Sequence, residues 1–379
     1  MAYPNLRGYI EDLESRGELL RIRQETDPFL EIAEWADITV KRAGPALLFE
    51  RPKGSSMPLL INHYGTQGRM ARALGVSSVE VLREEIAFLI KPRIPSGLGD
   101  GFKTLMKVLA AGRYLIPKKV GKAPCQEIVH PDPDLSILPI LHCWPEDGGR
   151  FITLPMVVTR HPETGIRNVG MYRMQVYDKK TTGMHWHRHK DGPRHFQAYR
   201  RMGIRKMPVA VALGGDPALT WAATAPCPEG LDEFAFAGFI RKKPVEMVKC
   251  LTNDLEVPAE CEIVLEGWVD PEKSRVEGPF GDHTGYYSLE DDYPVFHVEC
   301  ITHRRNPVYP ATIVGKPPQE DGFMGTASVR IFLPMLQTVF PEIEDMDLPV
   351  DGIFHNLMIV SIHKSYPFHG RKLLNSIWG

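Results

Sequence analysis

Asn168-Val-Gly-Met-Tyr-Arg173 and His185-Trp-His-Arg-His-Lys190 are the two stretches around which the chain is organised. They lie in strand-like runs at 168–177 and 183–188, and the turn-forming segment between them is typical of a hairpin. Further strand-like runs occupy 124–129, 153–160, 207–213, 245–252, 260–269, 295–303 and 308–314, with helical patterns inserted near 192–202 and 230–240. This spacing predicts a central antiparallel β-barrel or sandwich over residues 116–315.

The segments on either side predict α/β structure, so the predicted fold class is α/β plus β. In the first part, helical and strand-like patterns alternate: helices over 5–17, 30–41, 70–74 and 78–90, strands at 46–49 and 59–63, with Ser77 or Ser78 as the cap of the last helix. This alternation predicts an N-terminal α/β domain over residues 1–115. A helix over 326–339, a strand at 357–362 and a helix from about Gly370 predict the beginning of a C-terminal α/β domain over 316–379.

The end of the sequence is unusual, because the last predicted helix is strongly apolar. It carries Leu373, Leu374, Ile377 and Trp378. Such a face needs a partner, so we expect this chain to be a fragment whose C-terminal domain is incomplete.

Composition excludes several classes of protein. Lys+Arg number 45 and Asp+Glu 47, for a formal net charge of −2, so no field of one sign indicates nucleic acid or an anionic membrane. The 6 cysteines include no C-x-x-C pair, which favours free thiols in a reducing compartment. The N-terminus lacks a signal-peptide pattern, and no apolar run approaches the roughly 20 residues that span a bilayer. These features predict a cytoplasmic protein.

Three histidines alternate in the second stretch, at His185, His187 and His189. On a regular strand their side chains share one face, and three imidazoles on one face are one form of zinc site. Strand ends rich in His and Lys are also common on solvated surfaces. Both interpretations stay open on spacing alone.

Two acidic segments are further candidates. Glu233 follows Asp232, which can cap a helix, and an acid in the first turn is favoured by the helix macrodipole without any metal. Glu277-Gly-Pro-Phe-Gly-Asp282 is a tight loop that can expose two carboxylates with separated pKa values, one kept as an anion and one as a proton donor. An arginine between them would hold the anion. Alternatively, Asp282 only caps the turn.

These stretches resemble the UbiD-type decarboxylases, a family similar to 3-polyprenyl-4-hydroxybenzoate decarboxylase. The resemblance covers nearly the whole chain. It rests on Asn168 to Arg173, Trp186 to Gly192, Val211-Ala-Leu-Gly-Gly-Asp-Pro217, Leu251 to Ala259, Glu262-Ile-Val-Leu-Glu-Gly267 and Glu277-Gly-Pro-Phe-Gly-Asp-His-Thr-Gly-Tyr-Tyr287. It implies that the central domain is a split β-barrel of the flavin-reductase type.

The resemblance also implies a prenylated flavin mononucleotide whose phosphate is held through a divalent metal, usually Mn2+, with K+ nearby. The family's metal ligands fall on Asn168, His189 and Glu233, an oxygen-rich set that suits a hard, octahedral ion better than zinc. Only one of the three histidines is then a ligand. The implied cofactor-binding positions are Met171, Tyr172, Arg173, His185, Trp186, His187, Lys190 and Asp191.

The implied catalytic residues are Arg173, Glu277 and Asp282. The resemblance implies that an aromatic acid forms a covalent adduct with the cofactor, loses CO2 reversibly and is protonated by Asp282, which Arg173 and Glu277 orient. A quinone precursor of ubiquinone or menaquinone biosynthesis, such as a polyprenyl-hydroxybenzoate or a dihydroxynaphthoate, is the expected type of substrate.

Implied partners are a flavin prenyltransferase that supplies the cofactor and further copies of the chain in a homo-oligomer, with at most peripheral membrane association for a prenylated substrate. Asp282 matches the hydroxyaryl branch, whereas other members have Glu there. Family chains continue past Gly379, and without that remainder the pocket is expected to be open on one side. A non-catalytic flavin-binding β-barrel protein or an inactive truncated homologue is the alternative.

Overall fold

Helices and several β-sheets alternate along the chain, which we describe from a computed structural model covering residues 2–91, 109, 111–186, 191–228 and 230–378. The helices are α1 (Leu6–Ser15), α2 (Glu31–Lys41), α3 (Gln67–Ala73), α4 (Val79–Ile90), α5 (Asp191–Arg201), α6 (Pro217–Ala222), α7 (Glu233–Arg241), α8 (Glu320–Val339) and α9 (His369–Trp378). The strands up to the middle of the chain are β1 (Leu19–Thr26), β2 (Ala46–Pro52), β3 (Leu59–Ile61), β4 (Lys118–Val120), β5 (Ile128–His130), β6 (Phe151–Ile152), β7 (Met156–Arg160), β8 (Arg167–Met171), β9 (Met174–Gln175) and β10 (Thr181–Gly183). The remaining strands are β11 (Met207–Leu213), β12 (Glu246–Lys249), β13 (Glu256–Pro258), β14 (Ile263–Glu277), β15 (Asp291–His303), β16 (Tyr309–Pro310), β17 (Ile343–Asp347) and β18 (Ile359–Ile362).

The N-terminal region forms a four-stranded sheet in the order β1-β2-β3-β16. Strand β1 is parallel to β2, β2 is antiparallel to β3, and β16 is parallel to β3. The predicted helices are present: Asn5 caps α1 by accepting hydrogen bonds from the backbone of Arg7 and Gly8, and Ser78, not Ser77, caps α4. Because β16 follows the central strands in sequence, the chain returns to the first sheet before it enters α8.

The central region forms a seven-stranded sheet in the order β10-β15-β14-β11-β7-β8, with β5 paired to β15. All of these pairings are antiparallel, and β14 is the long strand between β11 and β15. A mixed α/β fold with several sheets is therefore confirmed. The closure of this sheet as a split barrel and the domain boundaries stay predictions.

Several predicted strands differ from the structure in their bounds. The run predicted over 124–129 begins with a 3-10 helix at Pro124–Gln126 and is a strand only from Ile128. Two further differences lie at the candidate site. The predicted run over 168–177 is interrupted at Tyr172 and Arg173, which separate β8 from β9. The run over 183–188 belongs to a strand only as far as Gly183, where β10 ends. His185 therefore does not stand on a regular strand, so strand alternation does not set which way its imidazole faces.

The hydrophobic core joins regions that are far apart in sequence. One cluster of buried side chains includes Leu6 of α1, Trp221 of α6, Phe234 of α7 and Ile331 of α8. A second cluster lies against the other face of the central sheet, with Val211 among its members. The elements that flank the central sheet are thus held against it by shared apolar burial.

The C-terminal region contains the antiparallel pair β17 and β18 and the helices α8 and α9. Helix α9 begins at His369, in agreement with the predicted helix near Gly370, and its Leu373 is buried while Trp378 is 89% exposed. Among the described residues, no helix has both the length and the apolar character needed to cross a bilayer.

Candidate functional site

Strand β8 and the N-terminus of α7 bring Asn168 and Glu233 together. Both side chains are buried, each with 7% exposure. The Asn168 amide donates from Nδ2 to Glu233 Oε1 at 3.3 Å, and the backbone N–H of Val169 donates to Glu233 Oε2 at 2.9 Å. Two of the predicted metal ligands, from positions 65 residues apart, are therefore neighbours.

The position of Glu233 is fixed by the residue before it. Asp232 caps α7, because its Oδ1 accepts from the backbone N–H groups of Phe234 and Ala235. Its other oxygen pairs with Arg167 of β8, whose Nε lies at 2.9 Å. Since Asp232 already caps the helix, Glu233 is not needed for that role and extends from the first turn toward Asn168.

The oxygen of the Asn168 amide fits a role as a metal ligand. Asn168 Oδ1 is buried and has no hydrogen-bond partner among the described residues, an arrangement that costs free energy unless a further group binds there. An amide oxygen beside a carboxylate is a suitable donor set for a hard divalent cation. No group of three or more His, Cys, Asp or Glu side chains that could bind a metal occurs among the described residues. The third predicted ligand, His189, lies outside them.

A second cluster surrounds the carboxylate of Glu277, at the end of β14. Arg173 Nε donates to Glu277 Oε1 at 3.1 Å, and His185 Nδ1 lies 2.7 Å from the same oxygen. The Arg173 guanidinium also donates to Ser288 Oγ at 3.2 Å and stacks on Phe280, with its central carbon 4.3 Å from the ring centroid. The Glu277 side chain is fully buried, and its Oε2 has no hydrogen-bond partner within the described ranges of the chain. Arg173 thus holds a buried carboxylate while it keeps 15% of its own surface exposed.

Aromatic side chains flank two members of this cluster in sequence, with Tyr172 before Arg173 and Trp186 after His185. The backbone N–H of Gly192 donates to the Tyr172 hydroxyl at 3.4 Å, and the Tyr172 ring meets Trp186 edge-on with centroids 6.3 Å apart. Trp186 Nε1 is buried and has no hydrogen-bond partner in the part of the chain that the structure describes. A side chain at Gly192 would place its Cβ 3.1 Å from both Tyr172 Oη and Trp186 Nε1, so this close approach favours glycine.

The other predicted cofactor-binding positions are distributed around the same segment. Met171 ends β8, where its backbone N–H donates to the Ala223 carbonyl at 3.0 Å. Asp191 begins α5. The predicted positions His187 and Lys190 lie outside the described residues. Within the part of the chain that the structure describes, buried polar atoms without partners at Asn168, Trp186 and Glu277 thus occur together with the aromatic pair Tyr172 and Trp186, a combination that fits a large polar cofactor.

Asp282 lies on the loop after Glu277 but belongs to a different set of contacts. Its Oδ1 accepts from the backbone N–H of His283 at 2.8 Å and lies 3.2 Å from His283 Nε2. Among the described residues, Asp282 forms no ion pair with Arg173, which pairs with Glu277 instead. The expected arginine between the two carboxylates thus contacts only one of them. The side chain of Asp282 is about one-third exposed (32%), as a group that meets a substrate must be.

The loop that carries Asp282 is fixed by contacts with Asp147 and Trp144. Asp147 Oδ1 accepts from the backbone N–H of Gly281 at 2.7 Å, and burial raises the pKa of Asp147. A Cβ at Gly281 would come within 2.1 Å of the Trp144 ring, so only glycine fits there. This tight packing fixes the backbone beside Asp282.

The sequence did not indicate His283 and Asp321. His283 Nδ1 lies 2.9 Å from Asp321 Oδ2, and Asp321 is in the first turn of α8. The two residues are 38 positions apart, so no local pattern could have joined them. A histidine directly after an acid in a glycine-rich loop was the only available signal.

Family models match the three parts of the chain. The N-terminal, Rift-related and C-terminal domains of 3-octaprenyl-4-hydroxybenzoate carboxy-lyase match residues 10–89, 118–317 and 322–379. A protein of Archaeoglobus fulgidus is 54% identical over 379 residues, and one of Aquifex aeolicus is 48% identical over 381. Each alignment covers 100% of this chain and 78% of the relative.

Solved structures of similar proteins have the same fold. An evolved dimeric form of the UbiD-class enzyme HmfF from Pelotomaculum thermopropionicum, in complex with prFMN, matches with a TM-score of 0.84 and 30% identity, over 99% of this chain and 82% of that one. The closed form of vanillic acid decarboxylase from Sedimentibacter hydroxybenzoicus matches with a TM-score of 0.84 and 27% identity, over 99% of this chain and 77% of that one.

Proposed function

The chain belongs to the UbiD family of 3-octaprenyl-4-hydroxybenzoate carboxy-lyases, and we propose that it catalyses the reversible, non-oxidative decarboxylation of an aromatic hydroxy acid with prenylated FMN. Members of this family are decarboxylases, and its similar structures include a prFMN complex and an aromatic-acid decarboxylase. The observation that carries the proposal is the buried Glu277 carboxylate held by Arg173 and His185. A quinone precursor is the proposed substrate type.

The proposed ligands of Mn2+ are Asn168, Glu233 and His189. Through this ion they would hold the phosphate of the cofactor, with K+ nearby. The support is the orphaned Asn168 oxygen beside the Glu233 carboxylate. The proposed lining residues are Met171, Tyr172, Arg173, His185, Trp186, His187, Lys190 and Asp191. When bound, prenylated FMN supplies an electron sink for the electron pair that the departing CO2 leaves behind.

Side chains of the protein bind the aromatic acid and supply the proton that replaces CO2. Arg173 is the cation that binds and orients the substrate carboxylate, because its guanidinium is fixed by Glu277, Ser288 and Phe280 and remains partly exposed. Asp282, the partly exposed acid of the adjacent loop, donates the proton that replaces CO2 on the ring carbon. In the reverse direction the same carboxylate removes that proton.

Several finer features belong to the same proposal. The seven-stranded sheet is the split barrel that carries the cofactor, the protein acts in the cytoplasm, and a flavin prenyltransferase supplies the cofactor. We also propose that the chain forms a homo-oligomer and that contact with a membrane is at most peripheral, where a prenylated substrate requires it.

The test is to produce the protein together with a flavin prenyltransferase, and then to record its absorbance spectrum, its metal content and CO2 release from a panel of hydroxybenzoates and dihydroxynaphthoates. We expect a coloured protein with bound divalent metal that releases CO2 from at least one acid. A colourless, metal-free protein would show that the proposed holoenzyme does not form. A coloured protein that is inactive on the whole panel would favour a non-catalytic flavin-binding role.

A further inference from the structure

His283 lies between two carboxylates that belong to different parts of the fold. On one side is Asp282 of the proposed catalytic loop, with Oδ1 3.2 Å from His283 Nε2. On the other side is Asp321 of α8, with Oδ2 2.9 Å from His283 Nδ1. An imidazole can donate to both acids at once only when both of its ring nitrogens carry protons.

The surroundings of the ring favour that charged form. The ring of His355 stacks on His283 with centroids 5.1 Å apart, and Phe354 meets it edge-on at 5.4 Å. Burial disfavours the charged form and the positive charge of Arg173 opposes it, but the hydrogen bond to Asp321 and the charges of Asp321 and Asp282 outweigh them and raise the pKa of His283. The imidazolium therefore persists to higher pH than that of an ordinary histidine.

We propose that His283 is a positioning residue for Asp282: its imidazolium ties the acid-bearing loop to Asp321 of α8 and returns a proton to Asp282 after each protonation of the product. This inference rests on the proposed function, because it assigns Asp282 the role of proton donor.

The proton balance of the step is as follows. Asp282 gives its proton to the ring carbon that has lost CO2, and the Nε2 proton of the His283 imidazolium passes to Asp282. The imidazole is then neutral, keeps its Nδ1 proton on the hydrogen bond to Asp321, and regains the Nε2 proton from water. No oxidant or reductant is involved.

The first experiment needs no bound cofactor. NMR titration of the protein with ¹⁵N-labelled histidine follows the imidazole signals, and the signal that is missing in His283→Gln belongs to His283. We expect Asp321→Asn and Asp282→Asn each to lower its pKa, by about one pH unit, because each removes a negative charge within 4 Å of the ring. A pKa that stays unchanged in both variants would overturn the pairing.

The second experiment measures kcat against pH with the cofactor-loaded enzyme. His283→Gln keeps a hydrogen-bonding side chain but cannot return a proton, so kcat should fall at least about tenfold and should no longer show the decline at high pH that follows loss of the imidazolium proton. Asp321→Asn should move that decline down by about one pH unit and change the plateau little. His363→Gln, an exposed histidine near the C-terminus, is the matched control and should behave as the parent protein.

The two hypotheses fail in different ways. If His283→Gln has the kcat and pH profile of the parent, the proton-return role is wrong while the decarboxylase function stands. If the loaded parent protein converts no acid of the panel, the proposed function fails and the proton-return role with it. The NMR titration then still decides whether the imidazolium pairs with both acids.

Discussion

Replacing Asp282 with Asn tests the proposed proton donor with little disturbance of the loop. Asp282 Oδ1 acts as an acceptor, from the backbone N–H of His283 at 2.8 Å and opposite His283 Nε2 at 3.2 Å, and the amide oxygen of Asn can keep both contacts. An amide cannot donate the proton that decarboxylation requires. We therefore expect Asp282→Asn to keep the fold and the cofactor spectrum but to lose turnover.

The expected loss of turnover follows from the role of Asp282 as proton donor. A positioned acid contributes about 10²–10⁴ in rate, which corresponds to about 3–5 kcal/mol of barrier height. The loss should appear in kcat and leave KM nearly unchanged, because Arg173, which binds the substrate carboxylate in the proposal, does not contact Asp282. Turnover is measured as CO2 release at saturating substrate, with each preparation normalised to its bound cofactor.

The matched control is Glu290→Gln, which makes the same chemical change at an exposed acid eight residues further along. It should keep the kcat of the parent protein. If Asp282→Asn also keeps it, the proton donor is another group and the turn-capping role of Asp282 is the better interpretation. If Asp282→Asn loses the cofactor spectrum as well, the substitution has disturbed the site and the reasoning about an undisturbed loop is wrong.

Three other changes have defined outcomes. Glu233→Gln should lose metal and cofactor together, measured by metal analysis and absorbance, because a neutral amide replaces the carboxylate beside Asn168. Arg173→Lys should lower kcat/KM roughly 10- to 100-fold in steady-state assays, since an ammonium cannot reproduce the fork that reaches Glu277 and Ser288. Burial raises the pKa of Glu320 to about 7, so its folded state holds a proton that the unfolded chain releases above about pH 4.5. Unfolding free energy should accordingly fall as pH rises from about 4.5 to 7, by about 3 kcal/mol in total, and Glu320→Gln should lack this slope in denaturant titrations.

Each of these outcomes can be contradicted. Retained metal and cofactor in Glu233→Gln would favour its role as a first-turn acid of α7. An unchanged kcat/KM in Arg173→Lys would mean that only the positive charge matters there. Any effect of Glu320→Gln that does not depend on pH shifts the unfolding free energy equally at every pH and leaves its slope against pH unchanged. Equal slopes in the parent protein and the variant would therefore show that the Glu320 carboxyl does not hold its proton.

Local signals in the sequence were sufficient to predict most helices and many strands, although the short helix α6 was not predicted. The pattern at 207–213 predicted β11 with the bounds that the structure has, because this strand is an apolar run that is buried along nearly its whole length. Strand β1 was missed, because only Ile22 and Thr26 are buried in it and the other positions are exposed or half-buried, so burial does not alternate along the strand. Exposed strands at the edge of a sheet lack the periodic signal on which such predictions depend.

Contacts between distant residues could not be predicted from spacing. Arg173 and Glu277 are 104 positions apart, and only the resemblance to a family placed them in one site. The contact between His283 and Asp321 was not predicted at all, because it depends on how α8 docks beside the loop.

The interruption of the strand after Met171 explains how one segment contributes to both the proposed metal site and the proposed proton-transfer site. On an unbroken strand, Asn168 and Arg173 would project from opposite faces, because they are an odd number of positions apart. Since β8 ends at Met171, the direction of Arg173 is set by its contacts with Glu277 and Ser288, whereas Asn168 stays on the regular strand beside α7. The proposed metal site and the proposed proton-transfer site are therefore positioned by separate sets of contacts. Substitutions at Glu233 and at Asp282 should for this reason produce separable defects, loss of the cofactor in one case and loss of turnover with the cofactor bound in the other.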